Sequence, residues 1–264
     1  LFFYLSHDTI LSFDRQLTTT GYILKSMLKN RLLVLSLVII LGILLFISTT
    51  YQVYGRSWKR ALFIDPIYKL NTDEKIVALT FDDGPSKNRT PVLLDILDKY
   101  QVKATFFMIG QNIEKHPEIA RAAVQRGHVV GNHSYSHPRL IFKSPEFVKE
   151  EIIKTSKLLQ DAGSADYQYF RPPYTNKFVV LPYVVQNLDM KLVTGTYDPK
   201  SQYESPFSAD KVAQEVITNV QPGSIIYLHD GNEKDADLFV NEVEKIIVEL
   251  QNQGYRFVTI KEGE

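Results

Sequence analysis

Two adjacent acids, Asp82 and Asp83, carry the clearest chemical potential in this chain; they sit in Thr80-Phe81-Asp82-Asp83-Gly84-Pro85, at the end of the apolar run Ile76-Val77-Ala78-Leu79. Neighbouring carboxylates repel each other, and a metal cation is a common remedy. Suitable further donors appear at His133 and His137, in Gly131-Asn132-His133-Ser134-Tyr135-Ser136-His137-Pro138. One Asp with two His is a frequent zinc donor set that leaves a coordination position for water. Cobalt, nickel or manganese suit the same donors. Metal-assisted hydrolysis is therefore the first expectation. Two plainer readings stand beside it: Asp-Gly-Pro is ordinary turn chemistry, and two His four apart lie on one face of a helical turn, where ligand-free pairs also occur.

Composition narrows the field. The 264 residues are 44% hydrophobic, enough for a sizeable core. Lys plus Arg and Asp plus Glu number 30 each, so no net charge draws the chain to nucleic acid. With no cysteine there is no disulfide, no thiolate metal site and no Cys nucleophile. Any metal must be held by His, Asp or Glu.

From Leu32 to Gly55 there is no charged residue, and Leu32–Ser48 is almost wholly aliphatic. Such a stretch is long enough to cross a bilayer. Lys29 and Arg31 precede it, and Arg56, Lys59 and Arg60 follow it, so flanking charge alone leaves its orientation open. No small-x-small cleavage site follows in Phe46-Ile47-Ser48-Thr49-Thr50-Tyr51, which favours an uncleaved signal anchor over a cleaved leader. The expected organisation is a cytoplasmic N-terminal extension at 1–31, a single membrane-spanning anchor at 32–50, a linker at 51–71 and an extracellular domain at 72–264. Met27, just ahead of Lys29 and Arg31, is the expected start residue, with residues 1–26 an upstream extension.

After the linker, strand-like and helix-like stretches alternate. Strands are expected at Ile76–Phe81, Ala104–Ile109, His128–Gly131, Tyr169–Arg171, Lys191–Thr194, Ser224–Leu228 and Arg256–Ile260. Helices are expected at Pro91–Tyr100, Pro117–Arg126, Pro145–Ala162, Lys177–Leu188, Ala209–Val220 and Ala236–Gln253. Such alternation predicts an α/β fold: a distorted (β/α) barrel of about seven parallel strands, smaller than the eight-unit barrel. Asp82 and Asp83, His133, Arg171 and His229 each directly follow an apolar strand-like run. Strand ends in parallel α/β folds share one face, so these distant residues are expected in one pocket. His7, His116 and His128 have no such company and are expected to be structural or solvated.

Four ordered motifs carry a resemblance: Thr80-Phe81-Asp82-Asp83-Gly84-Pro85, His133-Ser134-Tyr135-Ser136-His137, Arg171-Pro172-Pro173-Tyr174 and Leu228-His229-Asp230. Residues 72–264 resemble the polysaccharide deacetylases of the NodB homology type, carbohydrate esterase family four. The resemblance implies that Asp83, His133 and His137 bind a divalent metal, most readily zinc, and that Asp82 is the general base. It further implies that Arg171 holds the Asp82 carboxylate, that the Tyr174 backbone N–H helps stabilise the oxyanion, and that His229 protonates the leaving amine. The chain departs from the family pattern at three places. Thr175 stands where a Gly is usual, and Tyr227 where an apolar residue lines the acetyl pocket. Ser201 and Gln202 stand where an Asp-Trp pair is usual, so His229 lacks its customary carboxylate unless Asp198 replaces it.

The expected activity is removal of N-acetyl groups from amino sugars of a cell-wall or surface polysaccharide, peptidoglycan or a chitin-like polymer. Two alternatives remain open at this stage, an O-acetyl esterase on xylan-type polymers and a non-catalytic polysaccharide-binding relative.

Overall fold

The computed structural model describes residues 7–231 and 235–264. Of the N-terminal extension expected at 1–31, residues 1–6 lie outside the described residues, as does the side chain of His7. The chain divides into two compact units, Leu1–Tyr51 and Gln52–Glu264.

The first unit carries the helix α1 (His7–Thr50). By length and composition, Leu24–Gly55 is helical and apolar enough to cross a membrane. Its few hydroxyls bond back to the preceding turn, Ser36 to the Leu32 carbonyl (2.9 Å) and Thr50 to that of Phe46 (2.7 Å). No side-chain polar group of those two residues then asks for water.

Among its described residues the second unit contains seven strands: β1 (Ile76–Asp82), β2 (Thr105–Met108), β3 (Val129–Asn132), β4 (Tyr169–Phe170), β5 (Lys191–Leu192), β6 (Ile225–His229) and β7 (Arg256–Phe257). Every pairing is parallel, in the order β5-β4-β3-β2-β1-β6, with β7 paired to the start of β1. This is the distorted (β/α) barrel expected from the alternation. All seven residues of β1 are buried, which explains why its sequence runs apolar without a period of two.

Helices α2 (Arg89–Lys99), α3 (Gly110–Lys115), α4 (Pro117–Gln125), α5 (Pro145–Asp161), α6 (Val180–Asn187), α7 (Ala209–Asn219) and α8 (Ala236–Asn252) connect the strands. Helix α5 shows how sequence sets its limits and its facing. Ser144 caps it by accepting from the Phe147 N–H, Pro145 opens it, and Val148, Ile152, Thr155 and Leu159 recur at helical spacing on the buried face. The short α3 had no sequence signal, being a single turn and a half that starts at Gly110.

The stretch expected as a linker, 51–71, differs from that expectation. Leu70 is buried, Ile67 pairs with Val193, and Ala61 and Ile64 pack on the core beside α5 and α6. The segment lacks regular periodicity because it lies along the sheet edge and helices as an irregular strap, held by single backbone contacts rather than a repeating face.

His128 is structural. Its Nδ1 accepts from the Ala104 N–H (3.2 Å), and its Nε2 is buried without a hydrogen-bond partner among the described residues. Burial pushes its imidazole down from 6.5 to about 4. Between those values the unfolded chain takes up a proton that the folded chain refuses. The stability owed to a neutral His128 is therefore complete above pH 6.5 and is lost as pH falls to about 4. Relative to His128→Gln, which keeps an acceptor, the wild type should lose about 3 kcal/mol over that window. Denaturant unfolding of both proteins from pH 7 to 4 checks this, and parallel curves would refute it.

Candidate active site and metal centre

Parallel register brings the chemistry to one end of the sheet. Asp82 at the end of β1 lies level with His229 at the end of β6, and Asn132 at the end of β3 lies level with Phe170, immediately before Arg171. Asp82, Asp83, His133, His137, Tyr174 and His229 all line one cavity of about 420 Å³. Arg171 lies behind its wall, fully buried.

Asp83 is the first residue beyond β1 and has a left-handed backbone, φ 73°. That turn separates it from Asp82, so the two carboxylates take different surroundings. Asp83 Oδ1 lies 3.4 Å from His133 Nε2 and 3.2 Å from His137 Nε2. His133 Nδ1 faces the Arg171 carbonyl at 2.8 Å; a carbonyl only accepts, so Nδ1 carries the proton and Nε2 presents its lone pair. Asp83 Oδ1 is itself buried without a hydrogen-bond donor among the described residues. Lone pairs of one carboxylate and two imidazoles, all within 4.8 Å of one another, fit a divalent cation. Burial would raise the Asp83 carboxyl, but His133, His229 and His137 outweigh it and hold the group well below the usual range.

The histidine pair is not on a helix, contrary to the simplest reading of a spacing of four. His133 follows β3 directly, and the loop to His137 passes through left-handed residues at Ser134 and His137. Glu151 of α5 holds this loop: its Oε2 accepts from the N–H groups of Tyr135 (2.9 Å) and Ser136 (2.8 Å), and its Oε1 from the Ser136 hydroxyl (2.7 Å). Asn132 adds a turn by accepting from the Ser134 N–H (2.9 Å) while donating to the Ile152 carbonyl (2.8 Å). Glu151 had no sequence signal, because it reads as one more polar helix residue.

Asp82 is buried, and its Oδ1 accepts from Arg171 Nη1 at 2.7 Å. The same nitrogen donates to Thr80 Oγ1 (2.7 Å), and Nη2 donates to the Thr194 carbonyl (2.9 Å). The guanidinium is also sandwiched between the rings of Phe107 (4.1 Å) and Tyr227 (3.8 Å). Arg171 is thus locked and holds Asp82 by Oδ1, while Oδ2 lies 3.9 Å from His133 Nε2. Tyr227, expected only as a departure, is a structural part of this stack. A Cβ on Gly195 would lie 2.1 Å from Tyr227 Cε2, so the ring requires glycine there.

The partner of His229 is also resolved. Its Nδ1 is 2.9 Å from Gln202 Oε1, and Gln202 Nε2 donates to Asp198 Oδ1 at 2.5 Å. A neutral amide stands between the imidazole and the carboxylate. Tyr203 Oη also donates to Asp198 (3.1 Å) and lies 3.5 Å from His229 Nε2. Burial raises the Asp198 carboxyl above its ordinary value. Ser201 faces elsewhere, bonding Glu215 of α7 through its N–H at 3.0 Å. His229 therefore has no carboxylate directly on Nδ1, and Asp198 reaches it through Gln202 and Tyr203.

Tyr174 and Thr175 both have left-handed backbones, φ 58° and 54°. A β-branched residue rarely adopts this region, which accounts for the Gly usual at that place in the resembling family. The Tyr174 ring packs on His137 (4.7 Å) and under the Arg139 guanidinium (4.2 Å). Two further residues at this site were missed from sequence, Arg56 in the cavity wall and Trp58, whose ring lies 5.4 Å from that of Tyr227. Both fall in the presumed linker.

A family model described as polysaccharide deacetylase matches residues 69–193. A peptidoglycan-N-acetylglucosamine deacetylase of Bacillus cereus is 36% identical over 196 residues, covering 70% of this chain and 66% of that protein. A bifunctional xylanase/deacetylase of Pseudobutyrivibrio xylanivorans is 37% identical over 193 residues, 72% of this chain and 30% of that protein. The chain therefore spans about two thirds of the first relative and under a third of the second. Among solved structures, the Bc1960 peptidoglycan N-acetylglucosamine deacetylase, bound to a hydroxamate-type benzamide, superposes with a TM-score of 0.68 at 34% identity over 75% of this chain and 91% of that one. With its four motifs gathered around one cavity at the strand ends, the chain belongs to the polysaccharide deacetylase family.

Proposed function

We propose that this protein is a membrane-anchored, metal-dependent N-deacetylase that acts outside the cell on the amino sugars of a wall polysaccharide. The observation that carries this reading is the meeting in one cavity of a carboxylate locked by Arg171, a donor set of one carboxylate and two imidazoles, and His229. The peptidoglycan-N-acetylglucosamine deacetylase relative supports the substrate class. The apolar, solvent-facing helix Leu24–Gly55 supports the anchor.

Asp83, His133 and His137 would hold the divalent ion. When bound, it supplies Lewis-acid polarisation of the acetyl carbonyl and a more acidic water. Asp82, oriented by Arg171, takes the proton of the attacking water. The Tyr174 backbone N–H is assigned to the oxyanion. His229 gives the leaving nitrogen its proton from Nε2, while Nδ1 remains bonded to Gln202. The amide C–N bond breaks, a C–O bond forms, and acetate and a free amine leave. Zinc suits these donors best, with cobalt, nickel and manganese as substitutes.

Acetate release by the full chain in detergent, from peptidoglycan and N-acetylglucosamine oligomers, tests the reading. Release should stop after chelation and return with zinc, with one amine appearing per acetate. Acetate without amine from acetylated xylan would instead favour an O-acetyl esterase. Two observations favour that second reading: the xylanase/deacetylase relative and the neutral Gln202 amide on His229, since an alkoxide leaves more easily than an amine.

A further inference from the structure

The cavity wall carries two arginines that the proposed chemistry does not use. Arg56 and Arg139 both line it, and both are exposed. The acids nearby are already engaged: Asp82 by Arg171, Asp83 by the histidine pair, Asp198 by Gln202 and Tyr203. Among the described residues no carboxylate pairs with either arginine.

The Arg139 side chain is held by a ring, and the backbone that carries Arg56 is held on both sides. Arg139 lies over the Tyr174 ring at 4.2 Å, an arrangement that leaves the edge of the guanidinium free to donate. Arg56 is fixed through its backbone neighbours. The Gly55 carbonyl accepts from the Lys177 N–H (3.0 Å), the Ser57 carbonyl from the buried Lys177 ammonium, and the Trp58 carbonyl from the Thr194 hydroxyl (2.5 Å). A planar fork of N–H donors held at a cavity mouth matches a planar carboxylate and gains little from a neutral sugar hydroxyl.

We propose that Arg56 and Arg139 form a subsite for a carboxylate on the glycan, so that the preferred substrate is an acidic N-acetylated polysaccharide with a carboxylate on or next to the acetylated sugar. This inference rests on the proposed deacetylase reading for its substrate, but not for its binding test. The strap from Gly55 to Trp58 is then a specificity element of the site.

The test uses the full chain in detergent with two probes: a β-linked N-acetylglucosamine oligomer bearing lactyl-ether carboxylates on alternate sugars, and its methyl ester, which has the same shape without the charge. Binding is measured in the Asp82→Asn background, acetate release in the wild type. The acid form should bind about tenfold more tightly than the ester, and have a correspondingly lower KM, at low salt. That preference should shrink toward unity in molar salt. Arg56→Gln and Arg139→Gln should each reduce the acid-to-ester ratio several-fold, and Arg56→Lys should restore part of it. Equal affinity for acid and ester in the wild type, or an unchanged ratio in both Gln variants, would overturn the inference. Release from both probes with equal KM would leave the deacetylase reading standing alone. A charge-dependent binding preference without acetate release would keep the subsite and sink the activity.

Discussion

Replacing Asp82 with Asn should lower acetate release by about 10³-fold or more while the protein still binds its metal ion. Asp82 Oδ1 is tied to Arg171 at 2.7 Å, so the general-base role falls to Oδ2, and an amide in its place cannot accept the proton of the attacking water. The proposed metal donors Asp83, His133 and His137 are untouched by the change, so metal content measured on the purified variant should equal that of the wild type. Arg171 is fully buried, and neutralising its partner leaves a charge uncompensated. A stability loss of about 3 kcal/mol should accompany the loss of turnover, so rates must be read well below the melting transition. Retained activity in a folded, metal-loaded variant would remove Asp82 from the role of base.

Removing the strap should be nearly as damaging. A domain cut at Thr72, where composition places the boundary, loses Leu70 from the core, the Ile67 pairing with Val193 (2.8 and 2.9 Å through Leu192 and Thr194), and the acceptors of Lys177 and Thr194. The space left by Leu70 alone is comparable to a Leu→Ala change in a core, about 3 to 5 kcal/mol. Against a total of about 5 to 15 kcal/mol this is a large share. The Thr72–Glu264 fragment should melt about 10 °C or more below Gln52–Glu264, if it folds at all. Its activity should fall further than its stability, because Trp58 no longer packs on Tyr227, the ring that holds Arg171 against Asp82. Melting curves within a degree or two of each other, with equal turnover, would show that the strap merely rests on the domain.

Much of the site was legible because its residues follow a rule of parallel folds. Each lies directly after an apolar run, and register in a parallel sheet carries those positions to one edge whatever their separation in sequence. Strands β1 to β4 and β6 were readable for a related reason: buried parallel strands are largely continuous apolar runs. The chemical types, carboxylate, imidazole and guanidinium, and the family motifs that order them, are properties of the sequence by itself. So is the apolar stretch that became α1.

What the sequence left undetermined depends on neighbours that no local pattern announces. Glu151 holds the His133–His137 loop from a helix, Gln202 links His229 to Asp198, and Tyr227 serves as one face of the Arg171 stack. Each meets a partner well away in sequence, Ser136 15 residues from Glu151 and His229 27 residues from Gln202. The strap was misplaced for a related reason. Its residues 55–70 have no period, because an irregular segment is held by scattered single contacts rather than by a repeating face. Sequence determined which groups the site contains and on which end of the sheet they gather. Tertiary structure alone decided how each is oriented, because orientation comes from hydrogen bonds and ring contacts made across the fold.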